Sequence, residues 1–257
     1  MPSSSHRPRK RFGQHFLHDP RVLARIVEAI NPAEDDFIVE IGPGEGALTR
    51  PLLERLGKLE AIELDRDLAA QLAARFPPWR LTVHCADALE FDFNRFPAGM
   101  RLAGNLPYNI STPLLFHLAQ YAERVRDMHF MLQLEVVERM VAAHSTPEYG
   151  RLSVALQTRF RMKKLFNVSR GAFQPPPKVE SAVVRMEPLA GHPRLERTRF
   201  DDLLRSAFSA RRKQLRNALP LAMADYAELN IDPTSRPENL SPADYVRIAE
   251  YLASNHR

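Results

Sequence analysis

The chain has 257 residues, enough for one large domain or a large and a small one, and a hydrophobic fraction of 44% that supports a substantial core. A single cysteine, Cys85, excludes an internal disulfide framework and fits a reducing compartment, and no apolar run reaches the roughly 18 residues of a membrane span. The net charge of +5 is modest, but its placement is uneven: Arg7–Arg11, Arg159–Arg170 and Arg205–Arg216 contain no Asp or Glu, so the rest of the chain is net acidic. Clustered cations of this kind suit a phosphate backbone, although each run taken singly would serve equally as a solvated helix face or a tail. Met1–Arg11 is basic but no apolar segment follows it, so it does not read as a secretory signal and the expectation is a soluble cytoplasmic protein.

In chain order, Asp19-Pro20 predicts a helix N-cap followed by proline at the first helical position, and Val22, Leu23, Ile26, Val27 and Ile30 then fall on one helical face. Strand-like runs follow at Phe37–Ile41, Leu59–Leu64, Leu81–Cys85, Arg101–Asn105 and Met128–Leu134, separated by helical stretches at Ala47–Leu56, Asp67–Phe76, Thr112–Tyr121 and Glu135–Ala143. Gly57 reads as a C-cap for the first of these helices, and Pro113 as the opening of the third. Strands alternating with helices predict a parallel sheet covered on both faces. Beyond Gly150 a helical run at Arg151–Phe160 leads to strand-like pieces at Leu165–Ser169 and Ser181–Met186 around a proline-rich loop, an expected antiparallel edge. Pro188–Pro193 reads as a linker, and the remainder shows helical periodicity broken by Pro220, Pro233, Pro237 and Pro242. The expected division is therefore an α/β domain over 1–187 and a small helical domain over 188–257.

Ile41-Gly42-Pro43-Gly44-Glu45-Gly46 joins the first of these strands to a helix, the place where a parallel α/β sheet binds a nucleotide-like ligand. The spacing is G-x-G-x-G and not the G-x-G-x-x-G of dinucleotide folds, and Glu45 would repel a pyrophosphate at the turn. A ligand without phosphate but with a positive centre suits the loop better, and S-adenosylmethionine is that ligand. Glu63, at the next strand end, can accept hydrogen bonds from both ribose hydroxyls, and Asp87, after the one following, from the cofactor's adenine amine. Either alone reads more readily as a loop or helix-cap carboxylate. Taken with Asn105 at a fourth strand end, they outline one crevice.

Asn105-Leu106-Pro107-Tyr108 has the equipment to hold a planar base by its amine. An exocyclic adenine amine is a poor nucleophile that must leave the base stack before it can react. The Asn105 side-chain oxygen and the Leu106 carbonyl, set in extended backbone by the following proline, can each accept from that amine, and Tyr108 offers a face for stacking. As four isolated residues they read equally well as an ordinary turn. Direct in-line methyl transfer needs no strong general base here, because the amine loses its proton readily once methylated. Cys85 has no motif partner for covalent catalysis, and no zinc-like spacing occurs in the chain.

These motifs, together with Gly13-Gln14-His15-Phe16-Leu17, Phe173-Gln174-Pro175-Pro176-Pro177-Lys178-Val179-Glu180-Ser181 and Ala207–Lys213, resemble the ribosomal RNA adenine dimethyltransferases over almost the whole chain. The resemblance implies a Rossmann-like, seven-stranded methyltransferase domain with a small all-helical C-terminal domain that helps engage rRNA. It implies S-adenosylmethionine held by His15, Leu17, Gly42, Gly44, Glu63, Asp87 and Asn105, with no metal. Catalysis would fall to Asn105, Leu106, Pro107 and Tyr108, with Phe173 sandwiching the target adenine against Tyr108, and RNA contact to Arg211, Arg212 and Lys213. His15 stands where the family commonly has asparagine; either can hydrogen-bond the methionine moiety. Read alone, His15 is a surface or core histidine and Phe173 a core residue.

For function, the resemblance implies transfer of two methyl groups to each of two adjacent adenines in the 3′-terminal hairpin of small-subunit (16S) rRNA, on an immature small subunit and by a monomer. A large-subunit rRNA dimethyltransferase of the macrolide-resistance type would share the catalytic residues, and a ribosome-assembly or transcription factor that binds RNA without catalysis is an alternative of another class. The proline-rich loop and Arg211-Arg212-Lys213 favour the small-subunit enzyme.

Overall fold

The computed structural model describes residues 15–191, 196–209 and 213–255. In chain order these form β1 (Phe16–Leu17), α1 (Pro20–Ile30), β2 (Ile38–Ile41), α2 (Thr49–Leu53), β3 (Leu59–Glu63), α3 (Arg66–Arg75), β4 (Leu81–Cys85), β5 (Met100–Asn105), α4 (Ser111–Leu118), β6 (Val125–Gln133) and α5 (Leu134–Val141). There follow α6 (Arg151–Gln157), β7 (Phe160–Val168), β8 (Phe173–Gln174), β9 (Ser181–Pro188), α7 (Arg197–Ser209), α8 (Met223–Glu228) and α9 (Pro242–Asn255). The chain divides into two compact units: the described residues up to Val137 with Lys163–Pro188, and Glu138–Met162 with the described residues from Leu189 onward. A single cut at 187/188 misses the internal segment Glu138–Met162. Its helix α6 packs against α7 and α9, a long-range preference that local pattern does not carry.

In the first unit the alternation of strands and helices is realised as a seven-stranded sheet of order β4-β3-β2-β5-β6-β9-β7. β2 pairs in parallel with both β3 and β5, β4 continues beyond β3, and β6 beyond β5. β9 returns antiparallel to β6, so the sheet is parallel with an antiparallel edge region, as its sequence predicts. Every residue of β2 and β3 is buried, the condition of strands covered on both faces. Because strand order reverses at β2 and β5, the chain leaves these neighbours in opposite directions and opens a crevice at their C-terminal ends.

Local signals explain most boundaries. Asp19 has extended backbone and its Oδ1 accepts from the N–H groups of Arg21 at 2.8 Å and Val22 at 3.3 Å, which starts α1 with Pro20 in the first turn. Ile26, Val27 and Ile30 then bury the helix against the core. Four elements differ from expectation. α2 ends at Leu53, so Gly57 does not cap it; the Gly57 N–H instead donates to the Glu34 carbonyl at 3.0 Å. β7 begins at Phe160, not Leu165. β1 and β8 form a separate two-stranded sheet, with Phe16 opposite Gln174 and Leu17 opposite Phe173, from runs too short to carry a period.

The second unit contains the end of α5, the whole of α6, the first residues of β7, and α7, α8 and α9. Its interior holds Tyr149, Tyr226 and Tyr245, all nearly inaccessible. Tyr149 donates to the Leu240 carbonyl at 2.9 Å and Tyr245 to that of Pro237 at 2.8 Å, so two of these rings are buried with their hydroxyls satisfied. Among the described residues no helix is long and apolar enough to cross a membrane, and no group of His, Cys, Asp and Glu is placed to hold a metal ion.

At the N-terminal end of the sheet Arg101 of β5 is buried in an ion cluster. Its Nε donates to Asp127 Oδ1 of the adjacent β6 at 3.0 Å, and Nη1 to Asp36 Oδ2 at 2.6 Å; Nη2 donates to the carbonyl that ends α1, Ile30, at 2.5 Å. Burial alone would raise the Asp127 carboxyl, but His129 and the Arg101 guanidinium more than offset it and hold it below the usual range; Asp36 is held low in the same way by its Ala33 N–H contact, Arg101 and Arg126. Depressed carboxyls add stability that is present above their unfolded values, near pH 4, and lost as pH falls through the native ones. Arg101→Met should therefore lower the unfolding free energy by about 3–5 kcal/mol at pH 7, and urea titrations should show this deficit shrinking toward pH 3.

Candidate active site

The strand order brings four chain segments side by side at the C-terminal edge of the sheet. Glu63 ends β3, Gly42 follows β2, Asn105 ends β5, and Asp87 lies two residues past β4. Two glycines make the approach possible. A Cβ on Gly104 would overlap the Ile41 carbonyl, so β2 and β5 come together here only because that side chain is missing. Gly44 has a φ of 56°, and a Cβ there would lie 3.0 Å from the Phe16 ring, so the loop turns against β1 in a conformation that suits glycine.

These segments surround a cavity of about 1290 Å³ whose lining includes Glu40, Glu45, Glu63 and Asp87 and, among the described residues, no lysine or arginine. Glu63 is buried, and both its oxygens are held: Oε2 accepts from the Gly44 N–H at 3.0 Å and Oε1 from Asp65 at 2.9 Å. Burial pushes its carboxyl up, while those backbone N–H groups pull it down. Asp87 borders the cavity, and its Oδ1 accepts from the Leu89 N–H at 2.9 Å as a loop carboxylate would. Glu40 escaped the sequence reading. It is fully enclosed on β2, accepts from Thr49 Oγ1 at 2.6 Å, and is pushed up to about 7 by burial, against the Thr49 hydroxyl and with the repulsion of Glu63. A charged residue inside the otherwise apolar run Ile38–Ile41 was the available signal.

At the other end of the cavity, Asn105 donates from Nδ2 to the His15 carbonyl at 3.0 Å, which turns its Oδ1 away from that partner. Leu106, Pro107 and Tyr108 also line the cavity. The Leu106 N–H is tied to the Met131 carbonyl at 3.1 Å, and the Pro107 carbonyl receives the Ile110 N–H at 3.2 Å, so the turn is braced from two sides. Tyr108 is half-buried with its hydroxyl 2.6 Å from Ser181 Oγ on β9; burial raises the phenol despite that hydrogen bond. The His15 ring stacks on Tyr108 with centroids 5.6 Å apart and an interplanar angle of 29°. His15, Leu17, Gly42 and Gly44 all border the same cavity.

Phe173 does not. It is 1% exposed, and its pairing with Leu17 across β1 and β8 directs both side chains into the hydrophobic core beside Met131 and Val183. The expectation that it sandwiches a base against Tyr108 is corrected: the alternation of an extended strand sends Phe173 inward, and the following Gln174 and Pro175 are the residues at the cavity. Of the expected RNA contacts, Arg211 and Arg212 lie outside the described residues, as do Arg7–Arg11, Gly13 and Gln14. Lys213 is exposed, in the second unit.

Residues 5–254 match the family model described as ribosomal RNA adenine dimethylase. A protein of Aromatoleum aromaticum named ribosomal RNA small subunit methyltransferase A is 57% identical, over 98% of this chain and 96% of its own length. One of Thiobacillus denitrificans with the same name is 56% identical, over 97% and 99%. Among solved structures, a dimethyladenosine transferase from Plasmodium falciparum superposes with a TM-score of 0.82 at 27% identity, covering 93% of this chain and 98% of that one. The 23S rRNA methyltransferase ErmE gives 0.68 at 26%, with 93% and 99% covered.

The contact at Gly104 predicts that Gly104→Ala will force β2 and β5 apart where the cavity begins. A loss of about 1–3 kcal/mol, the ordinary penalty of overpacking, is expected in chemical denaturation; a variant as stable as the parent would show that the strands part freely at this point.

Proposed function

The chain belongs to the ribosomal RNA adenine dimethylase family, and from that premise we propose that it transfers methyl groups from S-adenosylmethionine to the amines of two adjacent adenines in the 3′-terminal hairpin of small-subunit (16S) rRNA. The observation that carries this reading is the polarity of the crevice: its charged lining among the described residues is four carboxylates with no lysine or arginine, and it ends at an amide oxygen and a fixed aromatic ring. Such a lining fits a cationic ligand that has no phosphate and would repel a nucleotide. His15, Leu17, Gly42, Gly44, Glu63, Asp87 and Asn105 would hold the cofactor, Glu63 at its ribose and Asp87 at its adenine amine.

When bound, the cofactor supplies an electrophilic methyl group on sulfur. The residues of this chain do the rest by placement. Asn105 Oδ1 and the Leu106 carbonyl accept from the target amine and draw its lone pair out of conjugation, Pro107 fixes the spacing between them, and Tyr108 stacks the everted base. The proton lost on methylation leaves to solvent afterwards, so no side chain has to act as a strong base. RNA is engaged by Arg211, Arg212 and Lys213 of a C-terminal helical domain, within an immature small subunit in the cytoplasm, and the enzyme works as a monomer. The likeness to ErmE makes large-subunit rRNA the alternative substrate.

Labelled methyl groups should enter undermethylated small subunits when the purified protein is supplied with S-adenosylmethionine. Incorporation confined to large-subunit rRNA would select the alternative, and binding without incorporation would remove the enzyme. Asn105→Ala should reduce kcat by about a hundredfold or more, the usual effect of deleting one preorganised hydrogen-bonding group, with RNA affinity nearly unchanged.

Glu40 gives the pH dependence. A carboxyl raised from 4.5 to about 7 stabilises the fold fully below pH 4.5, and that contribution is lost as pH rises through about 7. A cation bound nearby favours the ionised form, so S-adenosylmethionine should bind more tightly at pH 8 than at pH 6, by about fivefold for each ~1 kcal/mol of attraction between the charges. Calorimetric titrations should show this slope flattened in Glu40→Gln.

A further inference from the structure

We infer that the His15 side chain is a placeholder for the target base: its imidazole covers the face of Tyr108 on which the adenine must stack, and gives way when the RNA presents it. The proposal rests on the base-holding role given to Asn105 and Tyr108 above. His15 and Tyr108 line the same cavity, so the stacked face of the tyrosine is the one turned toward the reaction centre. The Tyr108 hydroxyl is fixed at Ser181, which stops the ring from swinging to offer another surface. With centroids 5.6 Å apart, the two rings are in contact and leave no space for a third plane between them. The base and the imidazole therefore exclude each other.

The attachments of His15 show which part moves. Its main chain is held on two sides: the carbonyl accepts from Asn105 Nδ2 at 3.0 Å, and the next residues pair with β8. Among the described residues its ring is held by one hydrogen bond, between Nδ1 and the Pro175 carbonyl at 2.8 Å, and by the stack itself. Rotation of the side chain alone frees Tyr108 while Asn105 keeps its backbone partner and its orientation. An entering base must replace both contacts. A free nucleoside has only its own stacking to set against them, whereas an adenine within bound RNA is carried in by contacts made elsewhere on the molecule. His15 thereby acts as a positioning residue that selects for presented adenines.

The test is the affinity of 2-aminopurine riboside, an adenine-like probe quenched on stacking, together with the His15 ring signal in the proton NMR spectrum. His15→Ala should bind the probe at least threefold more tightly than wild type, and His15→Phe, which restores a ring, should not. In the wild-type protein the His15 Cε1 proton should lose its ring-current shift on titration with the probe, a readout that needs no variant to fold. Weaker or equal probe binding by the alanine variant, or an unmoved His15 signal with the probe bound, overturns the placeholder. A drop in S-adenosylmethionine affinity with unchanged probe binding also overturns it and leaves His15 on the cofactor side alone. None of these measurements depends on turnover: if wild type methylates small-subunit rRNA but the slot behaves otherwise, only this inference fails, whereas absent methylation defeats the function whatever the slot does.

Discussion

The backbones of β2 and β5 meet at Ile41 and Gly104 more closely than any side chain would permit, and the site is built outward from that meeting. One residue beyond Ile41 begins the loop assigned to the cofactor; one residue beyond Gly104 stands the amide assigned to the substrate amine. Methyl transfer between two bound partners depends above all on their relative placement. Here that placement is set by a main-chain contact in the sheet interior, not by flexible side chains. The rest of the site hangs from these two strand ends: Glu63 braces Gly44 from one side, Phe16 fills the space against the same glycine, and Met131 on the neighbouring strand ties the turn at Leu106.

Charge is divided as sharply as geometry. The chain as a whole is basic, with a net charge of +5, yet the crevice is acidic. The two ligands proposed for it have opposite signs, a small cation and a polyanion, and a uniformly charged surface would attract one while repelling the other. Concentrating carboxylates inside a cavity and cations in separate runs lets each partner meet a complementary field. Burial tempers the first of these fields, because it raises the carboxyls of both Glu40 and Glu63, and the charge of Glu63 adds to the cost of ionising Glu40.

Much of the fold was legible because its signals are local. The apolar runs of β2 to β6 are separated by helices with readable starts, such as Asp19-Pro20, and a parallel covered sheet follows from that rhythm alone. The crevice residues were legible for the same reason, since each sits just after a strand end. Features that depend on distant pairing were not. The two residues of β1 find their partner only across the fold, in β8, and the segment Glu138–Met162 joins the helical unit through packing of α6. Phe173 shows the limit most clearly: its motif marks the right loop, but which way a strand residue points is decided by register. Glu40 was hidden by the opposite effect, a polar side chain within a run whose apolar character dominated the reading.

The return of β9 to the sheet has a consequence for how the protein is made. β6 is complete once residue 133 has been synthesised, but the strand that covers its outer edge begins only at Ser181, after the whole internal segment that belongs to the other unit. During that interval a nascent chain carries a nine-residue strand, largely buried in the finished fold, with one row of backbone hydrogen-bonding groups unpaired. Ser181, the residue that fastens Tyr108, opens the closing strand. The last step of sheet assembly is thus also the step that orders the base pocket, and a chain released before it would present both an aggregation-prone edge and an unfinished site.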